Sequence, residues 1–239
     1  QYDAWGIAVG DWPVLKKEED QGGFDIWMGG DLWPAYAAYW FNENYDLEPE
    51  LGEIFATKEF RQALSLAVDR NEINESIALG QGQPIQATCW TGNSFYKPEW
   101  GEAFVEFDPE RANQMLDDLG LAERDAEGFR LLPSGAPLSV IVECTTAIPY
   151  WVPITELVTA FWQDVGVRAT MKIQEWDLLW TRLGSGEMQV FTWGVDNHHE
   201  FVLLANSAPR TQMHVRRQLP EESFVLADTM NLWIETERP

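Results

Sequence analysis

Phe60-Arg61-Gln62-Ala63-Leu64-Ser65-Leu66-Ala67-Val68-Asp69-Arg70-Asn71-Glu72-Ile73-Asn74 is the stretch on which the reading of this chain turns. Phe60, Ala63, Leu64, Ala67 and Val68 fall at i, i+3, i+4, i+7 and i+8, which is one face of a helix. Asp69-Arg70-Asn71-Glu72 is a polar break, and Asp69 or Asn71 is placed to cap a second helix carrying Ile73 and Ile77. Gly80 and Gly82 stop it. The stretch therefore predicts a helical pair across residues 55–80.

Working outward, Ala4–Val9 and Phe24–Met28 read as short strands, with the polar run Lys16–Gly23 as the loop between them. Tyr36–Asn42 reads as a third strand. Residues 83–107 are irregular and rich in Pro, Trp and Gly, a length of loop that is usually functional or packed over a surface. Asp108-Pro109 opens a helix, with Asp as cap and Pro in the first turn, and Gly120 closes it. Phe129–Gly135 reads as a hairpin leading into a strand at 138–144. A helix at 151–165, a strand at 168–173, a helix at 176–184 and a strand at 188–193 follow. Strands alternating with helices argue for an α/β sheet layered with helices. Pro220–Thr236 has helical spacing, and 198–218 has no clear pattern.

The chain has 239 residues, enough for one large or two modest domains. Its net charge is −23, from 39 acidic and 16 basic side chains. Nucleic-acid binding needs a positive footprint, so that class is excluded, and anionic membrane surfaces are disfavoured for the same reason. No apolar run approaches the roughly 20 residues that span a bilayer. Cys89 and Cys144 are the only cysteines. A disulfide between them is an open alternative, but two separate small core residues are the preferred reading. GxSxG, Walker and GxGxxG patterns are missing, and His198-His199-Glu200 lacks the spacing of a metal site, because adjacent residues of an extended chain point to opposite sides. The expectation is a protein that is not an enzyme, with no cofactor and no metal.

The 60–74 run resembles a segment of the family 5 extracellular solute-binding proteins, the dipeptide- and oligopeptide-binding type that feeds ABC importers. Three further stretches resemble that family in the same order: Phe107–Leu121, Glu156–Arg168, and Glu175 through Val190 to Trp193-Gly194. The resemblance covers residues 37–197. It implies a periplasmic-binding-protein type II-like α/β lobe, a mixed sheet flanked by helices. Residues 39–197 would form the second lobe of a two-lobed clamp, with partial first-lobe strands at 1–38 and a return segment to the first lobe at 198–239. Family members are much longer, so the expectation is that Gln1 lies inside a longer protein.

The implied function is transport-linked binding: capture of an extracytoplasmic solute, an oligopeptide first, between hinged lobes, and its delivery to ABC permease subunits. The alternatives are the same fold binding an oligosaccharide or another solute, or a sensory or regulatory binding module; a catalytic α/β domain such as a hydrolase is the rival from another class. The implied setting is periplasmic, or extracytoplasmic and membrane-tethered if lipidated. A monomer peripheral to the membrane is expected.

Thirteen tryptophans suit the walls of a ligand cleft, because an indole offers a flat apolar face with a polar edge. For each one, core packing is the competing reading. The resemblance places a ligand-facing aromatic at Trp176 and brings Trp193, Asp196 and Asn197 through the hinge beside the cleft. Trp90 and Trp100 in the long loop are weaker candidates. Arg182 is placed to meet a ligand carboxylate, with an exposed ion pair as the competing reading. Where peptide-binding members carry an Arg near the hinge, this chain has Thr192. That departure leaves room for a sugar or another solute.

Overall fold

The computed structural model describes residues 9–26, 35–88 and 96–195. Its elements are α1 (Trp12–Gly22), β1 (Ala35–Phe41), α2 (Pro49–Ala56), α3 (Lys58–Leu66), α4 (Arg70–Ile77), α5 (Pro98–Glu102), α6 (Pro109–Leu116), β2 (Ser139–Cys144), α7 (Trp151–Asp164), β3 (Arg168–Ile173), α8 (Trp176–Ser185) and β4 (Val190–Val195). The four strands form one sheet in the order β1-β4-β2-β3. β2 pairs in parallel with both β3 and β4, while β1 runs antiparallel to β4 along the edge.

The connections follow from handedness. The chain moves one way along the sheet from β2 to β3 and the opposite way from β3 to β4. Right-handed crossovers then demand that α7 and α8 cover opposite faces. The side chains agree. Val140 and Val142 of β2 and Val190 of β4 point into the main core with Val158 and Trp162 of α7. Glu143 of β2 and Phe191 and Trp193 of β4 point the other way, toward α8.

Beyond α7 the main core is closed by α2, α3 and α6, through Leu51, Phe55, Phe60, Leu64, Ala112 and Leu116. Trp162 is its centre. Its ring meets Tyr39 at 5.4 Å and Phe41 at 5.8 Å, and its Nε1 donates to Leu64 O at 3.1 Å, tying α7 to both β1 and α3. Arg130 is buried beneath the hairpin. It donates to Val165 O, Leu121 O, Asn113 Oδ1 and Asp117 Oδ1, so its charge is matched. Burial still lowers its pKa, with the bond to Asp117 acting in the opposite sense.

Most expected elements are present with boundaries moved by a residue or two. Asp69 caps α4 by accepting from Asn71 N and Glu72 N, and Asp108 caps α6 by accepting from Arg111 N. Two expectations are corrected. The run taken as a loop at 16–23 lies mostly in α1, which has Pro13 in its first turn and Gly23 as a left-handed cap. Phe24–Ile26, the described part of the strand expected at Phe24–Met28, is irregular, and residues 27–34 lie outside the described residues. The helical pair expected at 55–80 is present as α3 and α4, and the extended Thr57 separates it from α2, which ends at Ala56. Ala4–Ala8 and the helix expected at 220–236 also lie outside the described residues.

Candidate ligand site at the carboxyl edge of the sheet

In an open α/β sheet, ligands bind outside the carboxyl ends of the strands, where crossovers in opposite directions leave a crevice. Here that edge is lined with tryptophan. Trp151 opens α7 just beyond β2, Trp176 opens α8 just beyond β3, and Trp193 lies near the end of β4. Trp193 is the hub: its ring centroid lies 4.9 Å from that of Trp151, 5.0 Å from Trp180 and 5.5 Å from Trp176. Trp176 and Trp180, one helical turn apart on α8, meet edge to face at 5.7 Å. Each such pair is worth roughly 0.5–1.5 kcal/mol beyond simple burial.

The cluster is graded in exposure. Trp151 and Trp193 are buried, Trp180 is half-buried, and Trp176 keeps 42% of its surface open. The buried rings make a rigid floor, and Trp176 presents an indole to solvent against it. Such a platform is chemically suited to flat or apolar ligand groups.

Electrostatics under the platform centre on Glu143. It is almost wholly buried, and its carboxylate accepts from Arg182 Nη2 at 2.7 Å, Arg182 Nε at 2.9 Å and Gln174 Nε2 at 2.5 Å. Arg182 also donates through Nη1 to Glu187 at 2.8 Å. The bond to Glu143 raises the Arg182 pKa. On the α7 face, Thr155 Oγ1 receives the Tyr39 hydroxyl at 3.3 Å and meets Thr192 Oγ1 at 3.0 Å. Burial pushes the phenol of Tyr39 well above its ordinary range. Nearby, burial pushes the Cys144 thiol up to about 11, with Thr155 lowering and Glu156 raising it.

Of the side chains named from sequence, Trp176 and Trp193 are brought together at this edge. Arg182 is held by Glu143 and Glu187 behind the platform. Thr192 is fully buried and turned toward Thr155. Trp100 sits half-exposed on α5, with Lys97 Nζ 5.5 Å from its ring. Cys144 is a buried free thiol, and Cys89 lies outside the described residues, as do Trp90, Asp196, Asn197 and the 198–200 histidine pair. Sequence reading missed Trp151, Trp180 and Glu143. Trp151 had a signal: like Trp176, it opens the helix that follows a strand.

Residues 1–206 match the family described as bacterial extracellular solute-binding proteins, family 5, middle region. The chain belongs to this family. It is 28% identical over 149 residues to heme-binding protein A of Haemophilus influenzae, which covers 60% of this chain and 24% of that protein. It is 26% identical over 163 residues to a dipeptide-binding protein of Pseudomonas aeruginosa, covering 66% of this chain and 28% of the relative. Among solved structures, the oligopeptide-binding protein OppA superposes with a TM-score of 0.76 at 26% identity, over 95% of this chain and 40% of that one. AppA of Bacillus subtilis, solved in complex with a nonapeptide, shares the fold at a TM-score of 0.65 and 19% identity, over 85% of this chain and 38% of its own. This family 5 chain thus spans about a quarter of the curated relatives it matches. Its fold is the α/β fold of the type II periplasmic binding proteins of family 5, a mixed sheet flanked by helices.

Proposed function

We propose that this chain supplies one lobe of the substrate-binding component of an ABC importer, which captures an extracytoplasmic solute between two hinged lobes and hands it to the permease. Residues 39–197 form the second lobe, and 1–38 and 198–239 belong with the first. β1 and β4 are then the strands through which the chain passes between lobes. The protein works as a non-catalytic monomer, periplasmic or tethered outside the cytoplasm. Oligopeptide is the first solute class. Trp176 and Trp193 contact it directly, together with Asp196, Asn197 and Trp90, while Arg182 acts from behind the platform.

The observation that carries this reading is Trp176, left 42% exposed on a floor of buried indoles at the carboxyl edge of the sheet. It is supported by membership of a solute-binding family and by the 26% identity to both an oligopeptide- and a dipeptide-binding protein. Differential affinity of the solute for the closed clamp drives closure.

Thr192 favours a second reading within the same class. It stands buried where the resemblance puts an arginine in peptide-binding members, and its hydroxyl is engaged by Thr155. A solute needing no cation at that point, such as an oligosaccharide, fits this arrangement. A thermal-shift screen of the full-length protein against pooled di- to pentapeptides and pooled oligosaccharides separates the two. Ligand at 100 times its Kd stabilises by about 2.7 kcal/mol. A shift with peptides alone supports the first reading, a shift with sugars alone replaces it by the second, and no shift with either counts against both.

A further inference from the structure

Glu143 has no part in the platform's surface, yet its bonds reach both ends of the segment that carries Trp176. Gln174, two residues before Trp176, donates to it at 2.5 Å, and Arg182, in the last turn of α8, grips it through a forked pair at 2.7 and 2.9 Å. Gln174 N also donates to Cys144 O at 2.7 Å, which fixes the end of β3 against β2. α8 is therefore fastened to the sheet at its approach and at its far end by one buried carboxylate. Between the two fastenings, Trp176 and Trp180 lean on Trp193. A carboxylate so deeply buried is costly to desolvate, and a leucine would fill the space more cheaply. What an apolar residue cannot supply is direction: the forked guanidinium and the amide accept only a narrow range of positions.

We propose that Glu143 is a positioning residue for the ligand platform, holding the β3–α8 corner through Arg182 and Gln174 so that the Trp176 indole stands against Trp193. The proposal rests on the reading of Trp176 as a ligand contact. Glu143 itself touches no ligand. It sets where the exposed indole stands before solute arrives, so loss of Glu143 weakens binding without removing any contacting group.

The test uses the full-length protein and reads the mutual orientation of the indoles directly. Closely packed tryptophans produce an exciton couplet in circular dichroism, and Trp176→Phe defines the part of it that depends on Trp176. Glu143→Gln keeps the volume and removes the charge. It is expected to lose the same part of the couplet, measured well below the melting temperature. Leu116→Ala, in the core on α6 away from α8, lowers the melting temperature without touching the couplet. Arg182→Lys keeps the charge and gives up the fork, and lowers the couplet as well; it serves if Glu143→Gln does not fold. A parental couplet in Glu143→Gln, or in Arg182→Lys if that variant serves, overturns the positioning role. So does a couplet lost equally in Leu116→Ala, which would make the effect one of general destabilisation. Titration with a mixed tetrapeptide pool and a mannose-oligosaccharide pool is read separately. Unchanged binding of whichever pool the parent takes in Trp176→Phe overturns the cleft reading itself, whatever the couplet shows.

Discussion

Trp176 combines a ring that is packed on two others with a face that is open to water. Truncation removes modest burial and two aromatic contacts, so Trp176→Ala is expected to cost about 1–2 kcal/mol in denaturant unfolding, less than the roughly 3–5 kcal/mol for a buried tryptophan. Ligand affinity measured by calorimetry should fall about tenfold or more, as for a central aromatic anchor; unchanged affinity would exclude the residue from the site. Cys144 makes a different prediction. Its thiol ionises at 9.0 when unfolded and is pushed up to about 11 in the fold, chiefly by burial. A raised pKa means the folded state holds the proton more tightly. The associated stability is fully present below pH 9 and is lost as pH climbs toward 11. Denaturant midpoints below pH 9 and near pH 11 should therefore converge more in Cys144→Ala than in the parent. The resemblance singled out Trp176, at the start of α8, and Trp193, near the end of β4. It gave no warning of Glu143, because a buried carboxylate looks like any strand residue until its partners, 31 and 39 positions away, are in place.

At the scale of elements, legibility followed the presence of a buried face. α3 buries a stripe and was readable from spacing, while Asp69 and Asp108 marked the starts of α4 and α6. α1 buries no side chain, and its one aliphatic pair, Val14 and Leu15, makes no stripe, so periodicity had nothing to report. Only Pro13 at the start and Gly23 at the end betray it, and both also fit a loop. α2 was missed for another reason: its packing depends on a residue whose importance is the lack of a side chain. A Cβ on Gly52 would lie 1.9 Å from Tyr45 O, so the helix presses directly on the backbone of the preceding loop. Gly52→Ala is expected to destabilise by about 1–3 kcal/mol, as overpacking does, although alanine is the better helix former. A denaturation series showing no loss would mean the loop at Tyr45 yields freely.

For the whole molecule, 39 acidic against 16 basic residues make self-repulsion a standing load on the fold. Added salt screens it within a Debye length of about 10 Å at 0.1 M, so the melting temperature should rise from low salt to 1 M, and less so once several exposed acids are neutralised to amides. A flat salt response would point to local compensation of the charge. The alternation of strands and helices announced an α/β sheet, but the order β1-β4-β2-β3 was not readable, because it depends on a pairing between residues 35 and 195 that no local pattern encodes. That pairing has a geometric consequence. β1 begins opposite the end of β4, with Ala35 facing Val195 across antiparallel strands whose Cα atoms lie about 5 Å apart. The two ends of the stretch from 35 to 195 thus lie side by side at the edge of the sheet. A short turn is long enough to join these ends, so a cassette cut at 35 and 195, or grafted into a foreign loop, is expected to keep a single cooperative melting transition, and loss of that transition would show that the stretch leans on the rest of the chain.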